Sequence, residues 1–279
     1  SSVGDVMDLI DLITSILLRV EQDATDKRSG IVDYRIAHRA QFFYLLEDVV
    51  CKLQGLDLGY LDEMTRFAVV VDLYNIMIKY AFMKIGVPAS RSTRTLFFSD
   101  VKMNIGGDIL SFNDLYHGIL RGNRPPRGAS SGVFGGKDPR ARLSLTKMDP
   151  RVHLALQHTP IYASTGCLHP TTLHYDLQRE TKAFLARHTS VMIDNANSTL
   201  LLTPIFKRYK SDFSKSDSVA FLNFLERNLE GGKKMCMRSL IEGEKSPKID
   251  YNDFDWGLIA GNYFPFKPSV IKANEKRLL

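Results

Sequence analysis

Three stretches of this sequence combine residue types that do proton, acyl or metal chemistry. In SFNDLYHGILRGNR, Asp114, His117 and Arg121 are spaced i, i+3 and i+7, so a helix would carry a carboxylate, an imidazole and a guanidinium on one face. A carboxylate beside His117 would fix its tautomer, as a general base requires, and the plainer reading is a salt-bridged surface face. In MDPRVHLALQHTPIYASTGCLHP, Asp149, Arg151 and His153 alternate, so on a strand all three would face one side. The same stretch places Cys167 in a loop between His158 and His169, and a thiol with a nearby imidazole is the minimum kit for nucleophilic acyl chemistry. The alternative is a plain buried thiol. His153, His158, His169 and Cys167 are also metal-ligand types, but their spacing matches no known metal motif, so neither metal nor cofactor is expected. The third stretch is the apolar run containing Asp72, Asn75 and Lys79, again i, i+3 and i+7. These three are either a narrow solvated stripe or groups aimed into a cleft, since a buried carboxylate needs a partner.

The elements that must position these groups follow from periodicity and punctuation. Val6, Ile10, Ile13, Leu17 and Val20 predict a first helix over Val6–Val20. Ile36, Ala40, Phe43, Leu46 and Val50 predict a second over Asp33–Leu53, closed by Gly55 and Gly59. The third and most buried runs from Asp62 to Ile85 and stops at Gly86-Val87-Pro88. Thr93–Phe98 and Val101–Ile105 read as short strands, and Ser111–Leu120 as a helix with Ser111 and Asp114 in a capping-box arrangement. Gly122–Gly136 is rich in Gly, Pro and Ser and long enough to form a mobile flap. Further on, Val152–Leu156 reads as a strand, Thr171–His188 as a helix and Thr199–Ile205 as a strand. Ser218–Leu229 reads as a helix ended by Gly231-Gly232, Ile249–Trp256 as a late strand, and the tail after Gly261 as a basic wrap over the surface. Together they predict an α+β fold, a helical N-terminal third packed on a mixed or antiparallel sheet. The expected division is an N-terminal helix and linker (1–30), a single α+β domain (31–261) and a C-terminal tail (262–279).

At 279 residues, with 44 % hydrophobic and 24 % charged residues, the chain is globular rather than fibrous or disordered. The net charge of +6 is uneven. Residues 1–63 hold twelve acidic and six basic residues, whereas 79–151 hold thirteen basic and five acidic. The latter suits a basic cleft for an anionic ligand, or simply a bipolar surface. The basic residues are scattered and no nucleic-acid-binding motif accompanies them, so nucleic acid is not the expected partner. The longest apolar stretch, Phe67–Gly86, contains Asp72, Asn75, Lys79 and Lys84 and reads as a buried helix rather than a membrane span. The first residues lack a basic region and carry three aspartates, unlike a signal peptide, and the first residue is not Met, as in a fragment or a processed chain. Three widely spaced cysteines, without CxxC, fit a reducing, cytoplasmic compartment; Cys51 and Cys236 read as packing residues. Dinucleotide, P-loop, zincin and nucleophile-elbow signatures are all missing.

DLYNIMIKYAF, NIGGDILSFNDLYHGILRGNRPP, KMDPRVHLAL, LLTPIFKRYKSDF and YNDFDWGL, in this order and spacing, resemble the domain of unknown function 547 family from roughly His38 to Gly261. The resemblance implies no established activity. It suggests a similarity to papain-like or transglutaminase-like cores. Tyr74, Asn75, His117, Arg121, Asp149, Arg151 and His153 fit the family pattern. Where that pattern has Trp-x-Asn, this chain has Val70 and Asp72; where it has Glu before the motif His, this chain has Tyr116. The first of two family cysteines is replaced near His158, and the second corresponds to Cys167.

Three functional expectations follow. The first is a cysteine- and histidine-dependent acyl-transferase or amide hydrolase acting on an anionic or peptide-like substrate. Cys167 would be its nucleophile, His117 or His153 its base, Asp149 or Asn75 its orienting group, and Arg121 and Arg151 its anion clamps. The second is a non-catalytic module that binds a small-molecule or peptide ligand in a basic cleft. The third is an acid–base enzyme on the same scaffold, in which Asp72, Tyr116, His117 and His158 converge.

Overall fold

The computed structural model describes residues 2–158, 166–214, 217–243, 246–253 and 262–273. It is mostly helical, with two small sheets among the described residues, one of them mixed; the α+β expectation holds in this broad form. The chain divides into two compact units. The first comprises 1–148, 156–173 and 256–279, and the second 149–155 and 174–255. The N-terminal helix and the C-terminal tail therefore both belong to the first unit. No helix among the described residues is long and apolar enough to cross a membrane.

The first unit is built round one buried helix. α1 (Val3–Ala24) starts with a reciprocal capping box between Ser2 and Asp5 and turns Ile10, Ile13, Leu17 and Val20 inward. The expected second helix is broken. α2 (Tyr34–Ala37) is a single turn capped by Asp33, and α3 (Gln41–Val50) begins afresh after Ala40. Ile36 consequently points outward, while Tyr34 and Ala37 take the inner positions. α4 (Glu63–Ile85) is capped by the Asp62 carboxylate, which accepts the Met64 and Thr65 N–H groups. It ends at Gly86, whose φ of 94° suits glycine and where a Cβ would lie 2.5 Å from the Phe264 carbonyl oxygen of the tail. The tail is pinned there by the Val87–Pro265 bridge and by buried Phe266.

Buried polar groups on α4 require partners. Lys79, fully buried, lies 3.3 Å from Glu21 of α1 and donates to the Tyr34 hydroxyl of α2 at 3.1 Å. Burial, then the charge of Glu21, pushes the Tyr34 phenol well above its ordinary range. One ammonium thus ties three helices together.

Thr93–Phe98 is helical rather than extended, within α5 (Arg91–Asp100). Ser90 and Thr93 form a reciprocal capping box, and one side chain, Phe97, anchors the helix against Phe82, Phe112 and Phe266. β1 (Lys102–Ile105) and β2 (Asp108–Ser111) form an antiparallel hairpin, which leads into a π-helix over Asp114–Leu120 where an ordinary helix was expected.

In the second unit α6 (Val152–Ala155) replaces the strand expected over Val152–Leu156. Asp149 accepts the Arg151 N–H and Pro150 follows it, which is a helix-start arrangement, so Asp149, Arg151 and His153 do not alternate along a strand. α7 (Leu173–Ala186) agrees with expectation. β3 (Val191–Asp194) pairs antiparallel with β4 (Thr199–Leu202), which ends where Pro204 starts α8 (Pro204–Arg208). After α9 (Lys210–Ser214) and α10 (Ser218–Asn228), Gly231-Gly232 opens a further helix, α11 (Gly231–Glu242), which the sequence reading did not place. β5 (Lys248–Tyr251) runs parallel to β4; the rest of the strand expected to Trp256 lies partly outside the described residues.

Replacing Lys79 by Met removes the ammonium while leaving the Glu21 carboxylate buried. Urea denaturation should show a loss of about 3–5 kcal/mol, and adding Glu21→Leu should recover most of it.

Candidate functional site

The polar positions of α4 hold other segments in place. Asp72 accepts the Leu168 N–H with both carboxylate oxygens, at 3.0 and 3.2 Å. Asn75 accepts the Gln157 N–H at 2.8 Å. The residues on either side of the 158–167 segment are therefore fixed to one face of α4, three residues apart. This is neither a solvated stripe nor a pair of side chains left for a ligand.

Beside Asn75, the Tyr74 hydroxyl lies 2.9 Å from Nδ1 of His158. The Tyr116 ring is 5.6 Å from the His158 ring, 6.1 Å from Tyr74 and stacked at 4.7 Å on His117. Arg121 Nη1 lies 3.0 Å from Nδ1 of His117. A guanidinium only donates, so Nδ1 accepts and the His117 proton sits on Nε2. The first unit thus assembles Tyr74, Tyr116, His117, Arg121 and His158 from α4, the π-helix and the segment after α6. His158 is part-exposed and the others are buried.

The π-helix makes this arrangement. Its i+5 bonds, Arg121 N–H to Tyr116 O and Asn123 N–H to Gly118 O, widen the turn. Asp114 does not orient His117 as expected. Its carboxylate accepts from Ser111 N–H and Oγ and from Arg140 Nη1, because a capping residue turns back on its own helix start. Arg121 donates to the Arg124 and Pro125 carbonyls as well as to His117. The loop expected to be a mobile flap is knitted down. The Asn123 side chain bonds both the N–H and the carbonyl of Phe134, and the buried Phe134 ring packs where a Cβ on Gly118 would stand.

Cys167 has different surroundings. Its Sγ donates to Thr14 Oγ1 at 3.1 Å and lies 4.0 Å from the Ile10 carbonyl oxygen; among the described residues no imidazole is its hydrogen-bond partner. Burial, then the negative charge of Asp72, pushes the thiol well above its ordinary range. Cys51 and Cys236, expected to be packing residues, are exposed. Both sit in helical segments whose apolar face is supplied by neighbours such as Leu53, Met237 and Leu240.

The second unit holds the remaining candidates. Arg151 forms a bidentate pair with Asp149, at 3.0 and 2.6 Å, and donates to the His174 carbonyl at 3.0 Å. His153 is fully buried, 3.1 Å from the Asp212 carboxylate and stacked at 4.2 Å on Tyr209. The basic stretch is extensively paired: Lys79 with Glu21, Lys84 with Glu47, Arg140 with Asp138 and Asp114, Arg142 with Asp108, and Arg151 with Asp149. No group of three or more metal-ligating side chains is found among the described residues.

The sequence reading did not put Tyr74, Thr14, Gln157 or Asp212 at a site. Tyr74 came nearest, as a match to the family pattern directly before Asn75.

In this α+β scaffold one buried helix supplies Tyr74, the π-helix supplies Tyr116 and His117, and the segment after α6 supplies His158. The family model described as "Protein of unknown function, DUF547" matches residues 58–185, so the chain carries a DUF547 domain over that span. All of the candidate residues from Asp72 to Cys167 lie inside it; the later stretches LLTPIFKRYKSDF and YNDFDWGL lie outside. Comparison with curated proteins and with solved structures returned no match.

Alkylation with iodoacetamide at neutral pH, followed by mass spectrometry, should label Cys51 and Cys236 at least about tenfold faster than Cys167. Asp72→Asn keeps an acceptor for Leu168 N–H but removes the charge, and should speed labelling of Cys167.

Proposed function

We propose that this domain is an acid–base enzyme acting on a small-molecule or peptide substrate, with His158 and His117 as its proton-transfer groups and Tyr116 beside both rings. The observation that carries this reading is the convergence of Tyr74, Tyr116, His117 and His158 from three separate segments. Acid–base groups need a fixed ring and a defined tautomer, and Arg121 supplies both for His117. Asp72 leaves the reacting set and becomes a positioning residue, through Leu168.

The cysteine-dependent acyl-transfer reading, with its papain-like or transglutaminase-like core, competes with this one. It needs a thiolate, and the thiol of Cys167 is held protonated by burial and by Asp72. The binding-module reading needs a basic cleft, and many of its arginines and lysines already have carboxylate partners.

Two measurements separate the three. Hydrolysis of p-nitrophenyl acetate by the whole chain should follow an imidazole-governed pH–rate profile. It should fall by about 100-fold or more in His158→Gln and stay within about twofold in Cys167→Ala. Loss of activity in Cys167→Ala would establish the cysteine reading instead. Thermal stabilisation by peptide or carboxylate ligands without turnover would establish the binding reading.

A further inference from the structure

We infer that Tyr74 is the positioning residue of His158: its phenol donates to Nδ1 and holds the neutral imidazole with the proton on Nε2. The functional meaning of this rests on the acid–base reading above; the geometry and its test do not.

The direction of the hydrogen bond follows from acidity. A phenol is a far weaker base than an imidazole, so between the two neutral groups the phenol is the better donor and the imidazole nitrogen the better acceptor. The 2.9 Å separation suits an O–H···N bond. The Tyr74 ring stands nearly perpendicular to that of His158, at 81° with centroids 5.6 Å apart, so the imidazole is held through its edge as well as through Nδ1.

The neighbouring residue makes the placement firm. Asn75 accepts the Gln157 N–H, so consecutive residues of α4 fix consecutive residues of the partner segment: Asn75 the backbone at 157, Tyr74 the ring at 158. Tyr74 itself is wedged edge-on against Phe112 at 5.3 Å and is almost wholly buried, which leaves its hydroxyl little freedom to wander. The arrangement parallels Arg121 and His117: in each pair a donor on a helix occupies Nδ1. In its neutral form His158 then carries its proton on Nε2; when the ring takes up a second proton at Nδ1 the Tyr74 oxygen can accept from it, and this imidazolium is the form that gives up a proton in the proposed chemistry.

The test reads the ring nitrogens directly and needs neither substrate nor turnover. Long-range proton–nitrogen correlation spectra of the uniformly ¹⁵N-labelled whole chain, recorded above about pH 8 so that the imidazoles are neutral, resolve the seven histidines. The His158 lines are assigned by their loss in His158→Gln. The expected wild-type signature is two widely separated nitrogen lines for His158, unprotonated Nδ1 and protonated Nε2. In Tyr74→Phe the two lines should move toward each other as the ring samples both tautomers, while those of His117 stay apart. A protonated Nδ1 in the wild type, or unchanged separation in a folded Tyr74→Phe, overturns the inference. Should Tyr74→Phe fail to fold, the wild-type spectrum still decides which atom donates. A correct tautomer with no esterase activity would defeat the acid–base reading and leave the Tyr74 assignment standing.

Discussion

A polar group sealed inside a helix bundle costs several kcal/mol unless something bonds to it, and α4 carries three such groups on one stripe. Each is satisfied by a different, sequence-distant segment. Lys79 takes Glu21 and Tyr34, Asn75 takes the backbone at 157, and Asp72 takes the backbone at 168. An all-apolar α4 would pack as well but would not specify which segments lie beside it, because hydrophobic contact is non-directional. The polar stripe supplies that direction. It fixes α1 and α2 at one end of the helix and, at the other, the two residues that bracket the 158–167 segment. His158 and Cys167, the two residues with the richest chemistry in that segment, inherit their positions from it.

The π-helix solves a complementary problem. Its i+5 hydrogen bonds leave Tyr116 and His117 stacked and let Arg121 reach back to Nδ1 of His117. Such widened turns are rare and cluster at functional sites. This one is held open from outside. Gly118 lacks the Cβ that would strike Phe134, and Asn123, with a φ of 56°, closes a two-bond clamp on that residue. Arg140, stacked over Phe134 and bonded to Asp114 and to the Ile109 carbonyl, braces the start of the helix against the same loop. The Gly- and Pro-rich composition that reads as freedom is here the means of threading a chain through tight approaches.

Much of the helical framework is legible in the sequence because burial there is periodic. α1, α4, α7 and α10 each repeat apolar residues at helical spacing over several turns. The misread elements are short ones in which a local cap outweighs composition. Thr93–Phe98 has the β-branched and aromatic residues of a strand, but its single buried anchor, Phe97, and the Ser90–Thr93 capping box suffice for a helix. Val152–Ala155 is apolar like a buried strand, but Asp149-Pro150 starts a helical turn. The candidate site was legible in part for the same reason. His117, Tyr116 and His158 announce themselves by residue type, whereas Tyr74 looks like core until its hydroxyl is seen to meet an imidazole contributed 84 positions further along the chain.

The surroundings of Cys167 and of His158 are physically connected. Asp72 gives the Leu168 N–H an acceptor and adds a charge, and that charge, after burial, is the largest influence raising the Cys167 thiol. A neutral amide at the same place would leave the thiol easier to ionise. The His158 imidazole is bonded to Tyr74 and adjoins Tyr116. One set of contacts thus quiets a thiol while another holds an imidazole beside two tyrosines. The two residues respond in opposite ways to their surroundings, and the clamps at Asn75 and Asp72 hold the two ends of the segment that carries them.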